Sequence, residues 1–203
     1  MEDGQSSRAA EPASVVFTTP GGREVRIRHI RPADAELLAA FYRHLSPETR
    51  RLRFLMLMPD LSDDVLLSFA RRLAAIDPTT SAALIATVEA DGREQAVAVA
   101  RLSCNGVEAD TAEGGLVVRD DYQRQGLGSV LFDLLIQVAM ARGLVGLWGV
   151  SLADNAGMHR LIQKVGLPYT SRTSHGETTV MIELAHAAND SGPGVRQGRA
   201  ETI

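Results

Sequence analysis

The strongest chemical signal in this chain is the segment Gln123-Arg124-Gln125-Gly126-Leu127-Gly128-Ser129. It lies between the short apolar run Gly115 to Val118 and a helical pattern of Val130, Leu131, Leu134, Leu135 and Val138. Backbone N–H groups at a helix start lack partners inside the helix and carry the positive end of its dipole. Glycines let the chain curl until several such donors converge on one anion. The segment therefore reads as a phosphate cradle, to which Ser129 adds a hydroxyl. No Gly-Lys-Ser/Thr sequence is present, so a P-loop is excluded. The glycines also depart from the GxGxxG spacing of a dinucleotide-binding turn. Taken alone, two glycines fit a plain strand-to-helix turn equally well.

Composition narrows what such a cradle serves. The chain has 203 residues, 45% hydrophobic and 23% charged, the balance of a globular domain with a buried core. Lys plus Arg is 21 against 25 for Asp plus Glu, a net charge of −4, and aromatics make up 4%. A dedicated nucleic-acid binder, with its basic face and stacking platform, is not expected. A single cysteine, Cys104, excludes an internal disulfide and a cysteine-cluster metal site. The histidines lack zinc-motif spacing, so no metal is expected. No apolar run is long enough to span a bilayer, and MEDGQSSRAAEP lacks a signal-peptide core. The expectation is a cytoplasmic protein without a membrane partner.

Several elements must position the cradle. Residues 1–14 and 186–203 are polar and rich in small residues, and are expected to be disordered around a folded domain at 15–185. Val15 to Phe17 and Val25 to Ile30 read as strands around Pro20-Gly21-Gly22. Pro32 is expected to open a helix with a stripe of Leu37, Leu38, Phe41 and Leu45. Ser46-Pro47 is a second helix start. Ser62-Asp63-Asp64 is a third, with Val65, Leu66, Phe69, Leu73 and Ile76 as its apolar face. Ala82 to Ala90 and Gln95 to Cys104 form a hairpin at Asp91-Gly92. A strand from Glu113 to Val118 enters the cradle, and Gly143 closes the helix that follows it. Leu144 to Ser151 is a strand, and Asp154-Asn155 caps a helix that ends at Gly166. Tyr169 to Arg172 and Thr178 to Leu184 are the last strands. The fold class is α/β (α+β): a single domain with helices over a mixed, mainly antiparallel sheet.

Gln123-x-x-Gly126-x-Gly128 after an apolar strand resembles the acyl-CoA pyrophosphate motif of the GNAT acyltransferase superfamily. The later Asn155, short helix and Gly166-Leu167 follow the same plan, with Leu167 in place of the usual aromatic. Ile30-Arg31-Pro32-Ala33-Asp34 and the run from Phe41 to Phe54 are similar to the N-terminal part of bacterial protein lysine acetyltransferases. The resemblance spans Glu24 to Leu184.

That resemblance implies a GNAT-type fold and an N-acetyltransferase that uses acetyl-CoA as co-substrate. It implies cofactor contacts from Gln123, Arg124, Gln125, Gly126, Leu127, Gly128 and Ser129. Backbone contacts from Leu116 and Val118, and a pantetheine contact from Asn155, would follow. An N–H near Val118 would polarise the thioester carbonyl. The acceptor must be a neutral amine, and a free lysine with a pKa of about 10.4 is neutral only about once in a thousand near pH 7. A base is therefore needed, and Glu113 stands where the lysine acetyltransferases carry theirs. Partial burial is expected to raise its pKa. Gly114-Gly115 would make room for the acyl group.

The tyrosine acid of many GNAT enzymes is replaced here by Ile162. A thiolate with a pKa of about 8.5 leaves without it. His159 is expected to be solvated, His175 to lie at the surface, and Cys104 to be a small core residue. The run Arg50-Arg51-Leu52-Arg53 is either a docking site for acidic protein surface or a solvated helix face. The favoured acceptor is a protein lysine, by direct transfer in a ternary complex. The alternatives are a small-molecule amine and a non-catalytic CoA-binding sensor. The oligomeric state stays open, a homodimer included.

Overall fold

A computed structural model of the protein describes residues 14–57, 59–106 and 109–184. The terminal segments expected to be disordered lie outside the described residues, Ser14 excepted. In chain order the elements are β1 (Val15–Thr18), β2 (Glu24–His29), α1 (Ala35–Arg43), α2 (Pro47–Phe54), α3 (Asp63–Ala74), β3 (Ser81–Ala90), β4 (Arg93–Cys104), β5 (Thr111–Val118), α4 (Leu127–Ala141), β6 (Gly146–Leu152), α5 (Ala156–Lys164), β7 (Tyr169–Ser174) and β8 (Glu177–Glu183). They form one sheet in the order β1-β2-β3-β4-β5-β6-β8-β7. Every pairing is antiparallel except β5 with β6. The expected mixed α/β fold is present.

Local chemistry explains most boundaries. Ser46 Oγ accepts the N–H of Thr49 and starts α2, with Pro47 at the position where a missing donor costs nothing. Asp91 and Gly92 both have positive φ, as a two-residue hairpin between right-twisted strands requires. Pro32 departs from expectation, because it opens a single 3₁₀ turn, Pro32–Asp34, before α1. There the Asp34 carboxylate takes the N–H of Arg31 and both terminal nitrogens of Arg28. Burial alone would raise the pKa of Asp34, but these bonds hold it below the ordinary carboxylate range. Val65 also departs, being 53% exposed while its neighbour Leu66 is 2% exposed, so α3 is rotated one position from the expected face.

Helices cover both sheet faces. Leu38, Phe41 and Leu66 from α1 and α3 pack with Ile85, Val99 and Val117 on one side. Leu127, Leu131 and Leu135 of α4 pack with Ala98, Leu102, Ala112 and Leu147 on the other. Strand β3 is accordingly buried on both faces from Ser81 to Val88 and reads as a continuous apolar run.

One junction departs from a regular sheet. Strands β5 and β6 pair only from Thr111 to Glu113 and from Gly146 to Trp148. Beyond that, β5 continues to Val118 and β6 to Leu152 without pairing to each other. At the parting point the backbones nearly touch: a Cβ on Gly149 would lie 2.9 Å from the carbonyl oxygen of Gly114. Only glycine permits that approach.

Candidate active site

The wedge between the parted strands is a cleft of roughly 780 Å³, with Glu113 and Trp148 at its apex and Gly126, Gly128 and Ser129 at its wide end. The N–H of Arg119 donates to Val97 of β4 at 2.8 Å. Alternation along an antiparallel strand then turns the N–H and C=O of Val118, Leu116 and Gly114 the other way, into the cleft. Leu116 and Val118, expected to offer backbone contacts, therefore present backbone N–H and C=O groups to the cleft. Leu116 stands two residues nearer the apex, roughly 7 Å at strand spacing.

The wide end is built from backbone. Arg124 and Gly126 have φ of 58° and 90°, and α4 begins directly after them. The N–H groups of Arg124, Gln125, Gly126, Leu127 and Gly128 make no hydrogen bond to another described residue. That of Ser129 is already committed to the carbonyl of Gly126 at 3.0 Å. Gly126 is required by its φ. Gly128 is not required by the fold, since a Cβ there would make only an ordinary 3.7 Å contact with Val118. Its bare Cα keeps the helix start open. Leu127 is fully buried, so only its backbone is available. These free donors fit a pyrophosphate.

Two motif side chains are anchored within the protein. Gln123 donates from Nε2 to the carbonyl of Val118 at 3.0 Å and to Thr49 Oγ1 at 3.2 Å, so it ties the strand end to α2 while lining the cleft. Gln125 donates to the carbonyl of Asp121 at 2.7 Å. Asn155 accepts the N–H of Met158 at 3.0 Å as the cap of α5. Its amide nitrogen remains for the cleft that it lines.

Helix α2 lies across the cleft and is tied to both of its sides. Asp120, just before the cradle, accepts from the N–H of Ser46 at 2.9 Å and from Ser46 Oγ and Thr49 Oγ1 at 2.7 Å each. Burial would raise the Asp120 pKa, but these bonds bring it below the usual value. On the far side Arg51 reaches Asp154 at 2.7 Å as well as Glu48 on its own helix. Sequence reasoning saw neither tie, because the partners are far apart in the chain.

The basic run is neither of the two things expected. Arg50 is buried over the Tyr42 ring and paired with Asp60. Arg51 makes the bridge just described. Arg53 turns into the cleft, and its guanidinium lies over Gly115, where a Cβ would come within 2.8 Å of Nη1. Gly115 thus makes room for Arg53, and a Cβ on Gly114 would meet Leu147. Both glycines line the cleft, where the expectation is that they clear space for an acyl group.

Glu113 is exposed at the apex, so the expected partial burial is not found. It shares a sheet face with Gly115 and Val117, the face of α1, α2 and α3, and lies within the electrostatic reach of Arg53. Ile162 is buried, and no tyrosine lines the cleft. His159 has Nε2 sealed from solvent without a partner, contrary to the expected solvated ring. Ser151, on β6, carries a buried unpartnered hydroxyl in the cleft wall. No sequence signal pointed to it. Among the described residues no cluster of metal-ligating side chains occurs, and no helix is long and apolar enough to cross a membrane.

Comparison with known proteins agrees with this fold. The acetyltransferase (GNAT) family model matches residues 39–167. A curated relative from Pseudomonas aeruginosa, named Acetyltransferase PA5475, is 35% identical over 177 residues, covering 87% of this chain and 92% of its own. Among solved structures, the GNAT domain of S. lividans PAT superposes with a TM-score of 0.72 at 26% identity, over 86% of this chain and 99% of that one. A cAMP-binding acyltransferase from Mycobacterium smegmatis shares the fold at a TM-score of 0.55 and 24% identity, over 85% of this chain and 47% of that one.

Proposed function

This chain belongs to the acetyltransferase (GNAT) family, and from that membership we propose that it passes an acetyl group from acetyl-CoA directly to an amine, a protein lysine being the favoured acceptor, with Glu113 as general base. One observation carries the reading: unpartnered N–H groups from Arg124 to Gly128 open onto a cleft whose other end holds Glu113. The similarity of the sequence around α1 and α2 to bacterial protein lysine acetyltransferases favours lysine.

Bound acetyl-CoA supplies the activated thioester. The cradle holds its diphosphate by charge-assisted hydrogen bonds. The free edge of β5 offers the N–H groups of Leu116 and Val118, a fixed row of donors that an extended pantetheine arm can pair with as an added strand. A donor of this kind polarises a carbonyl as charge develops on its oxygen. The Asn155 amide nitrogen is a further donor on the opposite wall. Glu113 takes a proton from the incoming ammonium, directly or through water, which its exposure allows. No side chain of the cleft takes the place of a tyrosine acid, so the thiolate departs on its own moderate pKa.

The test is incubation of protein extracts and metabolite mixtures with acetyl-CoA and the purified protein, read by mass spectrometry. Acetylated protein lysines are expected. Acetylation of free amines alone would replace the lysine reading with the small-molecule one, and tight acetyl-CoA binding without turnover would favour a sensor. Glu113→Gln should lower kcat about 100-fold, within the usual range for loss of a general base. Because the side chain is exposed, its melting temperature should stay near that of the parent. Undiminished turnover would remove the base.

A further inference from the structure

We propose that Arg53 is a receptor for a carboxylate on the acceptor, so that the cleft selects amines carrying an acidic group close to the reacting nitrogen. The proposal rests on the acetyltransferase reading and goes beyond it by naming the acceptor's chemistry.

Three observations converge on this arginine. First, its neighbours in the same run each have a carboxylate: Asp60 for Arg50, and Glu48 with Asp154 for Arg51. Arg53 has no hydrogen bond or ion pair to another described residue, only a loose contact with the Phe54 ring at 6.0 Å. Second, the guanidinium is seated rather than trailing in solvent. It is partly buried in the cleft wall, over the bare Cα of Gly115. Burial draws its pKa below the ordinary arginine value, with the Glu113 carboxylate opposing that shift and Arg101 adding to it. A guanidinium taken from water without a counter-charge is costly to hold, and a substrate carboxylate that replaces the lost water recovers the cost by a forked pair of hydrogen bonds. Third, Glu113 stands on the same face, close enough to act on Arg53 electrostatically yet not ion-paired with it. One cation and one anion held apart on one wall complement a ligand with the opposite arrangement, an ammonium toward Glu113 and a carboxylate toward Arg53. Arg101, across the strand pair from Gly115 and bonded to the carbonyl of Leu73, adds positive potential on the same side.

The class of acceptor is therefore an amino acid, or a lysine with an acidic residue beside it. The experiment compares kcat/KM for acceptors with and without the carboxylate: a free amino acid against its carboxamide, and lysine peptides with Glu or Gln next to the lysine. In the parent protein the carboxylate form should be preferred about tenfold, the value of one charge-assisted hydrogen bond. Arg53→Gln should bring the ratio close to one, and Arg53→Lys should restore part of it. Gly115→Ala is the second variant. Its methyl displaces a flexible guanidinium rather than backbone, so it should collapse the same ratio with a small change in melting temperature.

Equal losses for carboxylate and amide acceptors in Arg53→Gln would overturn the proposal. So would an effect confined to the choice between acetyl-CoA and succinyl-CoA, which would move the carboxylate to the acyl chain. A binding measurement decides the point without turnover. Trp148, the sole tryptophan, lines the same cleft. Its fluorescence should respond saturably to N-acetylglycine, weakly to its carboxamide N-acetylglycinamide, and to neither in Arg53→Gln. No response from the parent protein would overturn the carboxylate site while leaving acetyl transfer untouched. A response in a protein that fails to acetylate any amine would keep the site and discard the transfer.

Discussion

The two ends of the cleft are built from different materials. The wide end, from Arg124 to Gly128, is peptide backbone: free N–H groups, positive φ and bare glycine. The other end is side chains: Glu113 and Trp148 from the strands, and Arg53 from α2, which is itself tied to Asp120 and Asp154. Backbone donors are set once the chain is bent correctly, and they suit a ligand part common to every turnover. Side chains can be exchanged singly, and they suit the part of the reaction that differs between acceptors. On the proposed reading, the phosphate cradle is fixed by conformation and the acceptor wall by composition.

The sharpest way to break the backbone end is Gly126→Val. A branched residue at φ 90° is strained by about 1–3 kcal/mol and turns the adjacent donors away from their common focus. CoA affinity should fall about 100-fold by calorimetry, the equivalent of one or two charge-assisted hydrogen bonds. Unchanged affinity would remove the cradle from the account.

Next in size is Gly149→Ala, at the point where β5 and β6 part. Its Cβ would meet the backbone oxygen of Gly114 at 2.9 Å, so a strand must shift rather than a side chain. Overpacking of this kind costs about 2 kcal/mol, or roughly 4–8 °C in melting temperature. Gly115→Ala meets only the tip of Arg53 and should cost much less. A similar loss in both would erase the distinction between a backbone neighbour and a side-chain neighbour.

The smallest effect expected is at the tie between them. Asp120→Asn weakens the acceptors for Ser46 and Thr49 and should cost about 1 kcal/mol near neutral pH, given the partly exposed site. The folded pKa of Asp120 lies below its unfolded value. Its contribution is therefore complete above the unfolded pKa, near 4, and is lost as pH falls through the folded pKa. Melting curves of parent and variant should differ at pH 7 and converge below pH 4. A gap that persists in acid would assign the loss to geometry rather than charge.

Much of the scaffold was legible in the chain. Ser46-Pro47 announced α2, Asp91-Gly92 the hairpin and Gly143 the end of α4, because each signal is a local conformational preference. The turn from Arg124 to Gly128 was legible for the same reason. Gln123 was placed in the cradle by motif, yet its amide bonds Val118 and Thr49, partners that spacing alone does not reveal. Glu113 was expected to be partly buried, but burial depends on what lies over a strand end, and α2 and Arg53 leave its side chain exposed. Arg50, Arg51 and Arg53 looked alike in the sequence and have three different environments, since consecutive helical positions point in different directions and meet different neighbours.

What the sequence determined by itself was the chain order of strands and helices and the bend at Gly126, both of which follow from short-range preference and spacing, and its motifs carried the resemblance to the GNAT family. What only the tertiary structure decided was the parting of β5 from β6, the binding of α2 to both cleft walls and the seating of Arg53 over Gly115. These depend on contacts between residues distant in the chain, where the cost of a collision or an unpaired charge is set by the neighbour and not by the residue alone.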